Sequence, residues 1–80
     1  MGYSIRYHKA AEKYLDRQTN ATRERIMDAI DNLPEGDVIK LKGRECFRLT
    51  IGGFRVLFDY VDDSMIDVVT IARRGDVYKK

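Results

Sequence analysis

The side chains best suited to chemistry are cations, one phenol and one aliphatic hydroxyl in the C-terminal half of the chain. They are Arg48, Thr50, Arg55, Arg73, Arg74, Tyr78, Lys79 and Lys80. A guanidinium offers a planar fork of N–H donors that fits phosphate oxygens, and it stays charged at every accessible pH. Clustered arginines can therefore bind a phosphate backbone or stabilise a pentacovalent phosphorus, while tyrosine can stack on a base or exchange a proton. Residue types alone favour general anion or protein binding over RNA chemistry, since most single arginines are solvated surface.

A predicted β-hairpin positions the first members of this set. Gly52-Gly53 separates two apolar runs, and glycine permits the positive φ angles that tight hairpin turns need. A two-residue turn places Thr50 opposite Arg55 and Arg48 opposite Leu57, so these four side chains share one face. The other face is then apolar, with Phe47, Leu49, Ile51, Phe54, Val56 and Phe58.

The third strand of the predicted sheet leads directly to the remaining candidates. The run 65–72 is apolar on both faces, and Asp62-Asp63-Ser64 before it can form a two- or a three-residue loop. The register of this strand is therefore open. The sequence leaves undecided whether Arg73 or Arg74 shares the face of Arg55.

The N-terminal half predicts the elements that must support this sheet. Alternating residues 3–7 predict a short strand, and apolar residues at helical spacing predict a helix from about residue 8. A break at 18–20 supplies capping side chains for a second helix, which ends at Pro34-Glu35-Gly36. Segment 38–42 is read as an edge strand or an extended lead-in. The fold class is therefore α+β: an N-terminal strand, an antiparallel helical hairpin, then a three-stranded antiparallel meander. The helices cover the apolar face of the sheet and the other face stays open.

Composition limits the classes of protein and partner. Residues 1–80 form one predicted domain, with 44% hydrophobic and 35% charged residues, as in soluble globular proteins. No apolar run approaches the roughly 20 residues of a membrane span, so we expect no membrane partner. The single cysteine, Cys46, fits a reducing cytoplasm and has no neighbouring metal ligand, so no metal or other cofactor is expected. Residues 40–80 hold nine basic and six acidic side chains, which makes this half the better candidate for an anionic partner.

Two motifs resemble the RelE/ParE toxin superfamily of type II toxin–antitoxin systems, closer to the RelE-type mRNA interferases. The segment 47–58, FRLTIGGFRVLF, is similar to the core hairpin of that family, and IARRGDVY at 71–78 is similar to its closing segment. The initial strand, the alanine-rich start of the first helix and the helical hairpin also fit. The resemblance covers nearly the whole chain and implies a RelE-like sandwich.

The resemblance implies a metal-independent, ribosome-dependent endoribonuclease that inhibits translation. In such toxins a 2′-hydroxyl attacks the adjacent phosphorus of messenger RNA in the ribosomal A site, leaving a 2′,3′-cyclic phosphate. By position, Arg55 would hold the scissile phosphate, Arg73 or Arg74 would neutralise charge or protonate the leaving oxygen, and Tyr78 would stack on the nucleotide. Arg48, Thr50 and the tail lysines Lys79 and Lys80 would bind RNA. The implied partners are messenger RNA, ribosomal RNA and a cognate antitoxin in a hetero-oligomer.

Departures from the family pattern keep two alternatives open. Thr50 stands where RelE has a second lysine, and Arg73 stands where many relatives carry histidine. Arginine and tyrosine have ordinary pKa values of ~12.5–13.8 and ~10, which match neutral pH poorly, so we predict negligible cleavage of free RNA. The alternatives are a ParE-like inhibitor of DNA gyrase and a degenerate relative that only binds its antitoxin.

Overall fold

The computed structural model describes residues 3–41 and 46–73, which form a mixed sheet and two helices. The elements in chain order are β1 (Ser4–Tyr7), α1 (Lys9–Asp16), α2 (Asn20–Asp31), β2 (Asp37–Lys40), β3 (Phe47–Ile51), β4 (Phe54–Tyr60) and β5 (Met65–Arg73). The sheet order is β1-β5-β4-β3-β2. The predicted α+β class, the helical pair and the meander are therefore confirmed.

The sheet is larger at both edges than the three-stranded meander predicted. Segment 38–42 was open between strand and lead-in, and Asp37–Lys40 is a strand that pairs antiparallel with β3. At the other edge, β1 pairs in parallel with β5, and Ile5 lies beside Ile66. The first and last described strands are therefore neighbours. The antiparallel part has four strands, from β2 to β5.

The helical pair is held together at its tight connection. Thr19 precedes α2 with extended backbone angles, and its hydroxyl oxygen accepts a hydrogen bond from the Thr22 N–H at 3.2 Å. A cap of this kind stabilises a helix by about 1 kcal/mol. The Arg23 guanidinium also donates to the carbonyl oxygens of Leu15 and Gln18, both at 3.4 Å, at the end of α1. The connection therefore fixes the direction in which α2 leaves α1.

Both helices bury an apolar stripe against one face of the sheet. The helical contribution is Ala11, Leu15, Ile26, Ile30 and Leu33, and the sheet contributes Leu49, Ile51, Val56, Phe58, Ile66, Val68 and Ile71. Each large member contributes about 1.5–3 kcal/mol of transfer free energy. The apolar face predicted for the hairpin is thus the core face, and the helices do not cover the opposite face. Neither described helix is long and apolar enough to cross a membrane.

Candidate functional site

The hairpin of β3 and β4 has the register that its two glycines predict. Thr50 lies opposite Arg55, Arg48 lies opposite Leu57, and no residue is inserted between them. Gly52 has a φ of +52°, in the left-handed region that favours glycine. The turn therefore delivers Arg48, Thr50 and Arg55 to one face, as predicted.

The face opposite the helices, here called the open face, carries mainly polar and small side chains together with the apolar Ile39 and Leu57. From β2 to β1 it comprises Asp37, Ile39, Arg48, Thr50, Arg55, Leu57, Asp59, Thr70, Ala72, Asp67 and Arg6. Arg48 and Arg55 are diagonal neighbours across two adjacent strands, a relation in which long side chains reach each other. They are the two cations near the middle of the open face.

Arg55 is much less exposed than the sequence predicts. The hairpin pattern alone gives an arginine that faces solvent, but Arg55 is only 8% exposed, whereas Arg48 is half-buried. Neither side chain is without a partner. Alternation along a strand determines the face of a residue but not what covers that face, so sequence reasoning missed the burial. A buried guanidinium is costly unless its charge is compensated, which makes Arg55 the most constrained cation of the face.

Arg73 lies on the other side of the sheet from Arg55. In the pairing of β4 with β5, Arg55 is opposite Ala72, and Arg73 is opposite Phe54 on the core face. Arg73 is exposed at the end of its strand. The register thus shows that Arg73 does not join Arg48 and Arg55, whereas Arg74 lies outside the described residues.

A register shift in β5 explains why the sequence does not reveal which face of the sheet each residue of this strand occupies. Leu57 lies opposite Thr70 and Phe58 lies opposite Val68, so β5 contains one extra residue at this point. A β-bulge of this kind reverses the faces of all residues beyond it. The remaining predicted site residues, Arg74, Tyr78, Lys79 and Lys80, lie outside the described residues.

A charged cluster that sequence reasoning missed lies at the β1 edge of the open face. The Arg6 guanidinium donates to both carboxylate oxygens of Asp67, at 2.6 and 2.9 Å, and His8 Nε2 lies 3.4 Å from Asp67. The hydrogen bonds from Arg6 hold the pKa of Asp67 below its ordinary value, with a further contribution from His8. Asp67 also holds the pKa of Arg6 above its ordinary value. Only the adjacency of β1 and β5 brings these residues together, and the sequence carries no signal for it.

The cluster of Arg6, His8 and Asp67 is too far from Arg55 to act on the same group. Asp67 lies opposite Asp59, four residues along β4 from Arg55. At about 3.4 Å per residue this separation is about 14 Å. The cluster therefore clamps the edge strand β1 to β5. Sequence reasoning placed His8 at a helix start, and it does precede α1 with an extended backbone.

Two clefts flank the helices, and neither is cationic. One, of about 430 Å³, lies where the end of α2 meets β3 and is lined in part by Ala29, Asn32 and Leu49. The other, also of about 430 Å³, lies between the helices and includes Glu12 and Asp16. Within residues 3–41 and 46–73, no cluster of histidine, cysteine and carboxylate side chains could hold a metal ion. The cations of the sheet are therefore the main chemical feature.

Comparisons with known proteins agree with this architecture. A family model described as the ParE toxin of the type II toxin–antitoxin system parDE matches residues 5–78. The archaeal RelE–RelB complex from Pyrococcus horikoshii OT3 gives a TM-score of 0.74 at 28% identity, covering 94% of this chain and 98% of that chain. The RelB–RelE complex from Methanococcus jannaschii gives a TM-score of 0.72 at 23% identity, covering 91% of this chain and 94% of that chain. The intact RelBE complex of E. coli gives a TM-score of 0.72 at 18% identity, covering 91% of this chain and 98% of that chain. A search of curated proteins found no match.

Proposed function

The chain belongs to the ParE toxin family of type II toxin–antitoxin systems, within the RelE/ParE superfamily, and we propose that it cleaves messenger RNA in the ribosomal A site. This activity would inhibit translation in the cytoplasm. The observation that carries the proposal is the pair Arg48 and Arg55, diagonal neighbours on the open face. Two guanidinium groups at this spacing suit adjacent oxygens or adjacent phosphates of one RNA strand. The similarity at 28% identity to an archaeal RelE supports the same reading.

The proposed reaction is an internal transesterification. The 2′-oxygen forms a bond to the adjacent phosphorus, and the bond from that phosphorus to the 5′-oxygen breaks. The 2′-hydroxyl loses its proton, the leaving 5′-oxygen gains one, and the products are a 2′,3′-cyclic phosphate and a 5′-hydroxyl. Arg55 would stabilise the extra negative charge on the phosphorane, which is the kind of interaction that accelerates such steps most.

The other proposed roles rest on the described faces of Arg48, Thr50 and Arg73, and on the family resemblance for the residues that follow. Arg48 and Thr50 would bind the RNA backbone beside Arg55, because they share its face. We assign charge neutralisation at the leaving oxygen to Arg74, since Arg73 is on the core face. Tyr78 would stack on or orient the nucleotide, and Lys79 and Lys80 would add backbone contacts. Catalysis would then depend on positioning and electrostatics within the ribosome, because arginine and tyrosine are weak acids at neutral pH.

The burial of Arg55 adds a requirement to this proposal. A side chain that is 8% exposed cannot take up a phosphate without a local rearrangement. We expect phenylglyoxal, which modifies accessible arginines, to label Arg55 much more slowly than the exposed Arg73 in the free protein. Labelling of Arg55 as fast as Arg73 would contradict the burial. If Arg55 were as inaccessible in the ribosome-bound protein as in the free protein, the proposed role would be contradicted.

An antitoxin is the second proposed partner. The similar structures from P. horikoshii, M. jannaschii and E. coli are complexes of RelE with RelB, and we propose a protein partner of the same kind here. The edge strand β2 is short and exposes Ile39 at 44%, so it offers unpaired backbone groups and an apolar side chain to such a partner. Co-purification of the two proteins would test this directly.

The test of the proposed function is primer-extension mapping of messenger RNA on programmed ribosomes. We expect cuts within the A-site codon with the wild type, and a loss of about 10²–10³-fold with Arg55→Ala. Arg55→Lys keeps a charge but not the planar fork, so an intermediate rate is expected. Lys9→Gln, on the exposed start of α1, is the matched control and should cut normally. Because Arg55 is buried, circular dichroism of each variant must show that the fold is intact.

A second candidate function, inhibition of DNA gyrase, is favoured by the description of the matching family as ParE. The low exposure of Arg55 also fits a protein that does not bind a phosphate at this point. A supercoiling assay with purified gyrase separates the two functions. Inhibition of supercoiling by a protein that leaves messenger RNA intact on ribosomes would replace the nuclease proposal.

A further inference from the structure

The tip of the β3–β4 hairpin carries two arginines on the helical side of the sheet, away from Arg48 and Arg55. Arg25 projects from α2 so that its Nη2 atom lies 2.7 Å from the position a Cβ at Gly52 would occupy. Arg73 is the last residue of β5 and lies opposite Phe54, which in turn pairs with Ile51 as the last pair before the turn. Both arginines are exposed. We call Arg25, Arg73 and the glycine turn the hairpin-tip patch.

Both arginines of the patch are available to a partner. No side-chain hydrogen bond or ion pair joins the guanidinium of either one to another residue within 3–41 and 46–73. Asp28, one turn further along α2 from Arg25, is not within ion-pair distance of it. By contrast, the exposed Arg6 is fully engaged by Asp67. The patch therefore keeps two positive charges that the described fold does not use.

Gly53 supplies an independent observation, which is open space beside this turn. The turn conformation requires glycine at position 52, where φ is positive, but Gly53 does not have a positive φ. No atom of the described residues lies within 4 Å of the position that a Cβ at Gly53 would occupy. Neither backbone conformation nor packing among residues 3–41 and 46–73 therefore demands glycine there. A residue without a side chain does allow a large ligand to come close to the backbone.

We propose that the hairpin-tip patch is a second RNA-binding site, in which Arg25 and Arg73 contact phosphates of an RNA backbone that passes over Gly53. The guanidinium of Arg25 lies over Gly52, just beyond the end of β3, and Arg73 ends β5, two strands away in the sheet. At about 4.8 Å per strand this separation is about 10 Å, so the two arginines suit separate phosphates better than one. The sheet lies between this patch and Arg55, so the patch cannot hold the scissile phosphate. It grips RNA on the helical side while the open face receives the strand to be cut.

This inference rests on the proposed function for the identity of RNA as the polyanion, but its test does not depend on cleavage. The probe is a 70S ribosome programmed with a 2′-O-methylated A-site codon, which cannot undergo 2′-oxygen attack. Binding of the fluorescently labelled chain is measured at several salt concentrations. The test variant is Arg25→Gln with Arg73→Gln, and the control with the same loss of charge is Lys9→Gln with Lys40→Gln, at exposed positions away from the turn.

Two lost phosphate contacts should reduce the slope of log affinity against log salt by about 1.4 to 1.8. At about 0.1 M salt this corresponds to binding that is weaker by roughly 25- to 60-fold. A third variant, Gly53→Asp, should also weaken binding, because it puts a carboxylate in the path of the backbone without touching either arginine. Thermal melting followed by circular dichroism shows that each variant is folded.

The outcomes separate the inference from the proposed function. An unchanged salt slope in the arginine variant, a slope change equal to that of the lysine control, or a wild type that does not bind ribosomes overturns the inference. A loss of affinity for the antitoxin alone assigns the patch to an acidic protein segment and also overturns it. Cleavage of an unmethylated codon is measured in parallel. If wild type binds but does not cut, the proposed function fails while the slopes still decide the inference.

Ribosomes with and without messenger RNA in the A site distinguish the two sources of the phosphates. An equal loss of affinity on both identifies ribosomal RNA as the backbone at the patch. A loss that needs messenger RNA in the A site identifies the messenger. Either result supports a phosphate contact by Arg25 and Arg73.

Discussion

Substitution of the two adjacent glycines of the hairpin should have opposite effects on stability. Gly52→Ala puts a Cβ on a residue with φ of +52°, a conformation that costs an ordinary L-residue about 1–2 kcal/mol. Reduced freedom of the unfolded chain returns about 0.4–1 kcal/mol. We therefore expect Gly52→Ala to lower the free energy of unfolding by about 0.5–1 kcal/mol.

Gly53→Ala is the matched control within the same turn. Its φ is not positive and its Cβ would meet no atom of the described residues within 4 Å, so only the effect on the unfolded chain acts. Stability should rise by about 0.4–1 kcal/mol. The two variants should thus differ by roughly 1.5 kcal/mol, which corresponds to a difference in Tm of about 6–12 °C for a domain of this size.

Urea unfolding followed by circular dichroism measures this difference, and a common m-value shows that the unfolded states are comparable. The contact with Arg25 is separated from the backbone cost by repeating Gly52→Ala in an Arg25→Ala background. A flexible guanidinium can move, so the cost should be nearly the same in both backgrounds. If the two glycine variants were equally unstable, the described turn conformation would be wrong. If the cost vanished with Arg25 removed, steric contact and not φ would be its cause.

Three further predictions concern single side chains. Burial, with a smaller effect of Asp31, raises the pKa of Tyr7 to about 12, so the stability that its neutral form provides is complete below about pH 10 and lost as pH rises to about 12. Between pH 9 and pH 12 the free energy of unfolding of Tyr7→Phe should therefore fall by about 1 kcal/mol less than that of the wild type, after allowance for solvent screening. Urea titrations across this pH range measure the difference. Asp67→Asn should make the free energy of unfolding depend less on pH in acid. The pKa of Asp67 is lowered, so its contribution to stability is present above about pH 4 and disappears as pH falls below that value. Phe58→Ala removes a fully buried ring and should cost about 3–5 kcal/mol by urea unfolding, and a cost below about 1 kcal/mol would contradict the described core.

The local parts of the fold could be predicted because each has a strong short-range cause. Gly52-Gly53 and the alternation around it fix the register of β3 against β4, and Thr19 marks the start of α2. The capping hydroxyl and the glycine turn act within a few residues, so their effects can be predicted from the neighbouring sequence. The same holds for the choice of core face, because the hairpin is apolar on one side only.

The non-local parts could not be predicted, and the candidate site depends on them. A β-bulge beside Leu57 leaves no composition signal in a strand that is apolar on both faces, yet it puts Arg73 on the core face. The pairing of β1 with β5 joins residues about sixty positions apart, so the Arg6–Asp67 clamp has no local signature. The burial of Arg55 likewise depends on tertiary structure and not on its own strand. Sequence reasoning thus finds the cations and brings Arg48 and Arg55 together, but it cannot place Arg73 relative to them.

The order of the strands has a consequence for how the protein is made. β5, the last described strand to be synthesised, lies inside the sheet, with β1 on one side and β4 on the other. While the chain is still growing, β1 has no neighbour to pair with and β4 presents an open edge. The sheet that carries Arg55 is therefore complete only after residues 65–73 have left the ribosome. A nascent chain of this toxin therefore lacks its completed sheet, and keeps the edge of β4 unpaired, until these residues have emerged.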